Sequence, residues 1–77
     1  YNISHNFYMT NSTVQIVNQN IKNYRIANGL TQEKLADLCN ISRDYISEIE
    51  RGKKFPSLKR LFVIAEAMGI EAYKLLM

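Results

Sequence analysis

Two residues that favour the starts of helices, Thr31 and Ser42, stand only eleven positions apart in this chain. At the start of a helix, the hydroxyl of Thr or Ser accepts a hydrogen bond from a backbone N–H of the first turn. The spacing predicts one helix over residues 32–39 and another over residues 43–51, joined by three residues. A connection this short makes two helices cross steeply, which is the arrangement of a helix-turn-helix.

The helix predicted over residues 43–51 separates its apolar from its polar side chains. At about 100° per residue, Tyr45, Ile46 and Ile49 share one narrow stripe. The opposite face carries only side chains that form hydrogen bonds: Arg43, Asp44, Ser47, Glu48 and Arg51. A helix of eight or nine residues is not stable alone in water. Its apolar stripe must therefore pack on a core that the rest of the chain supplies.

Apolar residues at helical spacing predict that core. A first helix over residues 13–28, ended by Gly29, carries the stripe Val14, Val17, Ile21 and Tyr24. The helix over residues 32–39 has an apolar arc of Leu35, Ala36, Leu38 and Cys39. A further helix after the Ser57 cap has a broad apolar face of Leu58, Leu61, Phe62, Ile64, Ala65 and Met68. A short last helix is expected over residues 71–76. The chain is therefore predicted to be all-α, with five helices in one domain over residues 14–77.

Residues 1–13 contain no Lys, Arg, Asp or Glu and are rich in Asn, Ser and Thr. This composition predicts a flexible N-terminal arm. The chain opens on Tyr1, so we expect a start that is truncated, processed or vector-derived, with Met9 as one alternative first residue.

The composition argues against several classes of protein. With one Cys and one His, we expect neither a disulfide within the chain nor a structural zinc site. The chain has no glycine-rich phosphate loop and no Ser/His or Cys/His constellation, so we expect neither an enzyme nor a cofactor, metal or small-molecule ligand. Its first residues lack a basic region followed by an apolar run, so we expect no signal peptide. No apolar run has membrane-spanning length, so we expect a cytoplasmic, nucleoid-associated bacterial protein without a membrane partner.

The net charge of +3 permits a polyanionic partner. Residues 51–60 concentrate five cations without an acid: Arg51, Lys53, Lys54, Lys59 and Arg60. Charge alone does not separate a nucleic-acid contact from an ordinary solvated loop.

A family resemblance covers residues 14–76. The ordered set Gln32, Ala36, Asn40, Ile46 and Ile49 resembles the signature of lambda-repressor-like helix-turn-helix domains, the Cro/C1 or XRE-type group. Asn40 stands where that family usually has Gly, and Asn also tolerates a positive φ. The resemblance implies a compact five-helix domain that binds operator DNA, with the helix over residues 43–51 in the major groove. It also implies a structural ion pair between Arg25 and Glu50.

The candidate base-reading residues are Arg43, Asp44, Ser47 and Glu48. Arg43 pairs with guanine or contacts a phosphate, and Asp44 accepts from cytosine or complements the start of its helix. Glu48 either reads cytosine or holds Arg43 or Arg51. The candidate contacts to the DNA backbone are Gln32, Ser42, Tyr45, Arg51, Lys53, Lys54 and Ser57. The sequence does not decide whether Lys59 and Arg60 belong to this set.

These residues predict a sequence-specific transcriptional regulator that binds double-stranded DNA. The run from Arg43 to Ser47 resembles the controller proteins of restriction-modification systems, and a phage-type repressor fits almost as well. The alternative is an antitoxin, which binds DNA and also a toxin partner. One recognition helix covers too little groove for a tight site, so we expect a homodimer on a palindromic operator. The expected dimer interface contains Ile70, Tyr73 and Leu76.

Overall fold

The computed structural model describes the backbone of residues 3–77 and the side chains of residues 14–77. Four α-helices and one short 3₁₀ helix make up this part of the chain, and it contains no strand. They are α1 (Ile3–Ala27), α2 (Gln32–Cys39), α3 (Arg43–Glu50), α4 (Leu58–Ala67) and the 3₁₀ helix (Ala72–Leu76). The all-α fold class is confirmed, whereas the prediction of five α-helices is wrong. 3₁₀ helices occur as short pieces, and this last segment has only five residues. Glu71 at its start provides no side-chain cap.

α1 begins at Ile3, ten residues before the predicted start at Thr13. No Gly or Pro occurs before Gly29, so no residue in the first half of this segment breaks a helix. The predicted arm over residues 1–13 lies outside the part of the chain whose side chains are described. Its separation from the domain over residues 14–77 stays a prediction.

Side-chain caps begin α2, α3 and α4 at the predicted residues. The Thr31 hydroxyl accepts from the Lys34 N–H at 3.0 Å, and the Ser42 hydroxyl accepts from the Tyr45 N–H at 3.1 Å. The Ser57 hydroxyl accepts from the Arg60 N–H at 3.2 Å. Each bond satisfies a donor that the first turn of a helix leaves free. The caps therefore set where the two helices of the helix-turn-helix begin.

The turn between α2 and α3 depends on Asn40. Its φ of 57° and ψ of 44° are left-handed, as expected for a residue standing where the family usually has Gly. The next residue, Ile41, donates its N–H to the Ala36 carbonyl at 3.0 Å, which closes the end of α2. Asn40 thus reverses the chain in the three residues that separate the two helices.

The core joins one face of every described element. Its fully buried side chains are Val17, Ile21, Leu35, Ile46, Ile49, Ile64 and Leu75. Ala36 is 2% exposed and Cys39 7% exposed, so both are core residues as predicted. α3 therefore rests on this core through Ile46 and Ile49, which leaves its polar face outward.

Three residues assigned to apolar faces are exposed instead: Leu38, Leu58 and Phe62. On α2, Leu35, Cys39 and Ala36 cover about 100° of arc, and Leu38 lies about 60° outside it. On α4, the buried residues Ile64, Met68, Leu61 and Ala65 also cover about 100°, and Leu58 and Phe62 lie beyond that arc. The predicted faces were too wide because each helix is covered on one side only.

Candidate nucleic-acid interface

The outward face of α3 brings together the four predicted base-reading side chains. Arg43 and Asp44 are exposed in its first turn, and Ser47 and Glu48 are half-buried farther along. An open depression of about 520 Å³ lies beside the start of α3. Its lining includes Gln32 at the start of α2 and Arg43 at the start of α3. The beginnings of both helices therefore open onto one shared surface.

A buried ion pair holds this surface to α1. Arg25 donates from Nε to Glu50 Oε2 at 2.6 Å and from Nη2 to Glu50 Oε1 at 3.0 Å. Its Nη1 donates to the Leu30 carbonyl at 2.7 Å. The side chains of Arg25 and Glu50 are only 12% and 3% exposed. This two-pronged geometry is the strongest form of an Arg–carboxylate contact, and it fixes the end of α3 against α1.

Gln32 joins the same network. Its Nε2 donates to Glu50 Oε1 at 3.0 Å, so this amide links the start of α2 to the end of α3. The sequence assigns Gln32 to a DNA phosphate, and this bond leaves its amide oxygen and one N–H for other partners. Sequence spacing does not predict the contact between Gln32 and Glu50, because these residues are 18 positions apart on different helices.

Glu48 pairs with Lys54 at 3.3 Å, and the two side chains are 33% and 53% exposed. In the structure Glu48 therefore holds Lys54, whereas the sequence suggested Arg43 or Arg51 as the residue that Glu48 holds. Arg51 instead donates from Nε to the Ser47 carbonyl at 3.3 Å, one turn earlier in the chain. The loop after α3 folds back because the Lys53 and Lys54 N–H groups both donate to the Glu48 carbonyl, and this return brings Lys54 to the carboxylate.

The ring of Tyr45 contacts two cations. Lys54 Nζ is 5.7 Å from its centroid, and Arg60 Cζ is 4.7 Å from it. Both distances are within the range of a cation–π contact. Tyr45 is half-buried on the edge of the apolar stripe, as its sequence position indicated. The sequence left the role of Arg60 undecided, and no local pattern could connect it to a ring on another helix.

The remaining predicted backbone contacts surround α3. Ser42 and Ser57 use their hydroxyl oxygens as helix caps, so each hydroxyl can still donate its proton. Lys53 is exposed in the loop between α3 and α4. Hydroxyl and ammonium donors therefore lie before and after the face of α3.

The predicted dimer residues lie at the C-terminal end. Tyr73 is 57% exposed and Leu76 51% exposed, while Ile70 is half-buried and Leu75 between them is fully buried. Asn20 on α1 donates from Nδ2 to the carbonyls of Leu75 at 2.9 Å and Met77 at 3.1 Å. No sequence pattern predicts this contact, because Asn20 and Leu75 are 55 positions apart. It anchors the 3₁₀ helix on α1 and leaves Tyr73 and Leu76 outward.

Cys39 is a core residue, and burial raises the pKa of its thiol. Its Sγ faces the Val63 carbonyl at 4.0 Å on α4. A thiol that stays protonated is a weak nucleophile.

Among the described residues, no helix combines the length and the apolar character needed to cross a membrane.

A helix-turn-helix whose second helix turns a hydrogen-bonding face outward, next to a loop rich in cations, defines a DNA-binding regulator. The comparisons with known proteins agree with this class. The chain matches the family described as Helix-turn-helix over residues 21–75. It belongs to that family and is a transcriptional regulator of the helix-turn-helix type.

Individual relatives include regulators of two kinds. The chain is 38% identical over 69 residues to the control protein C.BamHI of Bacillus amyloliquefaciens, which covers 88% of this chain and 85% of that protein. It is 46% identical over 55 residues to the immunity repressor protein of Bacillus phage phi105, covering 71% of this chain and 38% of the repressor. The crystal structure of the restriction-modification controller protein C.AhdI from Aeromonas hydrophila superposes with a TM-score of 0.78 at 34% identity. That likeness covers 83% of this chain and 97% of C.AhdI.

Proposed function

We propose that this protein is a controller-type regulator that binds a palindromic operator through the outer face of α3. The observation that carries the proposal is the division of α3 into a buried apolar stripe and a face of hydrogen-bonding side chains next to cations. Likeness to two controller proteins over most of their lengths supports the choice among regulators. These relatives are regulators, which supports a non-enzymatic role in the cytoplasm for this protein.

In this proposal, α3 lies in the major groove and its first turn meets the base edges. Arg43, with a guanidinium free of any protein partner among the described residues, donates to guanine O6 and N7. Asp44 and Glu48 accept from cytosine N4, and Ser47 contacts a base or a phosphate. Asp44 and Glu48 also repel phosphates, so α3 is favoured where bases, not backbone, face it.

The DNA backbone is held on both sides of α3. Its contacts come from the starts of α2 and α4, from Tyr45 and from the loop after α3: Gln32, Ser42, Tyr45, Arg51, Lys53, Lys54 and Ser57. Contacts of this kind fix the position of a protein on the duplex without reading its sequence. The Arg25–Glu50 pair serves the structure, because it holds α3 in the orientation that presents this face.

A phage-type repressor is the second candidate. It is favoured by 46% identity to the phi105 immunity repressor, which is higher than the identity to C.BamHI. That match spans less than half of the repressor's length, whereas the controller match spans most of C.BamHI. The controller function is therefore the better supported of the two.

Selection of duplexes from a random pool by the purified protein tests the proposal. We expect enrichment of a palindrome with half-sites about one helical turn, or about 34 Å, apart. The logarithm of the binding constant on that duplex should fall linearly with the logarithm of salt, by about 0.9 per phosphate contacted. No enriched sequence and a slope near zero would refute DNA binding. Enrichment of an unpaired single site would refute the palindromic operator alone.

A further inference from the structure

Arg60 and Lys54 contact the same ring of Tyr45 but differ in their other partners. Lys54 also pairs with the Glu48 carboxylate, so part of its charge is neutralised within the protein. Within the described residues, the Arg60 guanidinium has neither a carboxylate nor a carbonyl partner. The five N–H donors of the guanidinium therefore remain available to a ligand.

The ring contact limits where those donors can point. Arg commonly stacks on aromatic faces, an arrangement that leaves its N–H groups in the guanidinium plane, pointing to the periphery. The 4.7 Å separation therefore holds Arg60 in place without consuming a hydrogen bond. This arrangement reduces the conformational entropy that Arg60 would lose on binding an anion.

The surroundings of Arg60 suit an anion. A recess of about 340 Å³ beside the helix-turn-helix connection is lined by Arg60, Lys59, Ser57, Asn40 and three apolar residues. None of its lining residues is acidic. The Ser57 hydroxyl accepts a hydrogen bond from the backbone N–H of Arg60, and it can still donate its own proton to another group.

We propose that Arg60 is a phosphate-binding residue of the DNA interface and that the ring of Tyr45 orients it. This inference rests on the proposed function and extends the interface from α3 to the first turn of α4. Tyr45 then acts in two ways, through its hydroxyl toward the DNA backbone and through its ring toward Arg60.

Fluorescence titrations with two duplexes test this role, using the selected palindrome and an unrelated duplex of equal length. Arg60→Ala should weaken binding to both duplexes by about tenfold per protomer, the loss expected for one charge-assisted contact. It should also reduce the salt slope by about 0.9 per bound protomer, which is about 1.8 for a dimer. Arg60→Lys should keep the parent slope. Lys22→Ala, which removes an exposed charge from α1, should leave the slope unchanged. Thermal melting of each variant checks that it is folded.

A double-mutant cycle isolates the ring. Tyr45→Leu should weaken binding further than Tyr45→Phe by about two- to fivefold, because only Leu removes the cation–π contact. In the Arg60→Ala background this difference between Leu and Phe should shrink to the part contributed by Lys54, which contacts the same ring. The hydroxyl of Tyr45 is absent from both variants, so it does not enter the comparison.

The possible results distinguish a failure of the Arg60 role from a failure of the proposed DNA-binding function. If the parent binds DNA with salt dependence but Arg60→Ala leaves its slope unchanged, the phosphate contact is refuted. If Leu and Phe at position 45 still differ by the same factor without Arg60, the orienting role of the ring is refuted. A parent whose affinity does not respond to salt would refute both the proposed function and this inference.

Discussion

Arg43 is the residue at which the proposed base recognition can be tested most directly. It is exposed in the first turn of α3, beside the depression that reaches Gln32. We expect Arg43→Ala to cost about 1–3 kcal/mol per half-site of the selected operator and to relax the preference at one position in each half-site. Competition titrations against single-base variants measure this. An equal loss on the operator and on unrelated DNA would make Arg43 a phosphate contact instead.

The pair formed by Lys54 and Glu48 gives the second prediction for individual residues. Lys54→Ala should weaken all duplexes about equally and flatten the salt slope, because a phosphate contact carries no sequence information. It also leaves the Glu48 carboxylate without its 3.3 Å partner and close to DNA phosphates. Lys54→Ala should therefore weaken binding more than Lys53→Ala, which removes a neighbouring exposed cation.

The double variant Glu48→Gln, Lys54→Ala separates the two effects. Without the carboxylate, its affinity for unrelated DNA should return to that of Lys53→Ala. Titration of these variants at several salt concentrations provides the measurement. If Lys53→Ala and Lys54→Ala are indistinguishable, the ion pair with Glu48 has no influence on DNA binding.

Between elements, Glu50 connects three helices. It accepts two bonds from Arg25 on α1 and one from Gln32 on α2, and its side chain is 3% exposed. Removing one member of a buried ion pair leaves the other charge without compensation, which typically costs about 3–5 kcal/mol. We expect Glu50→Ala to lower the free energy of unfolding by that amount in urea titrations.

Gln32→Ala is the matched control for this network. It removes one neutral donor and leaves the ion pair intact, so we expect it to cost only about 0.5–1.5 kcal/mol. Its effect on DNA affinity then reports the proposed phosphate contact separately from stability. A Glu50→Ala protein that melts within about a degree or two of the parent would contradict the energetic role of the pair.

The elements also explain which features could be predicted from the sequence. Thr31, Ser42 and Ser57 could be recognised as caps because each bonds to an N–H three residues away. The contacts that organise the site could not be recognised in the same way. Gln32 meets Glu50 over 18 positions, and Arg60 meets Tyr45 on another helix, so both contacts depend on how helices pack. Helical periodicity marks the centre of an apolar face, but it does not mark the edge at Leu38 or Phe62.

For the whole molecule, the exposed apolar side chains at the C-terminal end bear on assembly. Tyr73, Leu76 and Met77 are each more than half exposed, and Phe62 on α4 is 57% exposed. A groove of about 530 Å³ between α4 and the 3₁₀ helix is lined by Phe62, Ile70 and Ala72, among others. The groove is also lined by Glu66, Glu71 and Lys74. An exposed apolar patch with a polar rim typically marks a protein–protein interface.

We therefore expect a two-fold symmetric dimer that uses the end of α4 and the 3₁₀ helix. Such a dimer would present two copies of α3 to half-sites about one helical turn apart, which doubles the contacts of a single short helix. Sedimentation at tens of micromolar without DNA should give a dimer for the parent and a monomer for Leu76→Asp, because the new carboxylate would be buried in the interface. Ile26→Asp, which changes a similarly exposed residue on α1, should remain dimeric. Leu76→Asp should also bind the selected palindrome more weakly than Ile26→Asp, since its half-sites would be occupied separately. A parent that sediments as a monomer and protects a single unpaired half-site in footprinting would contradict the dimer.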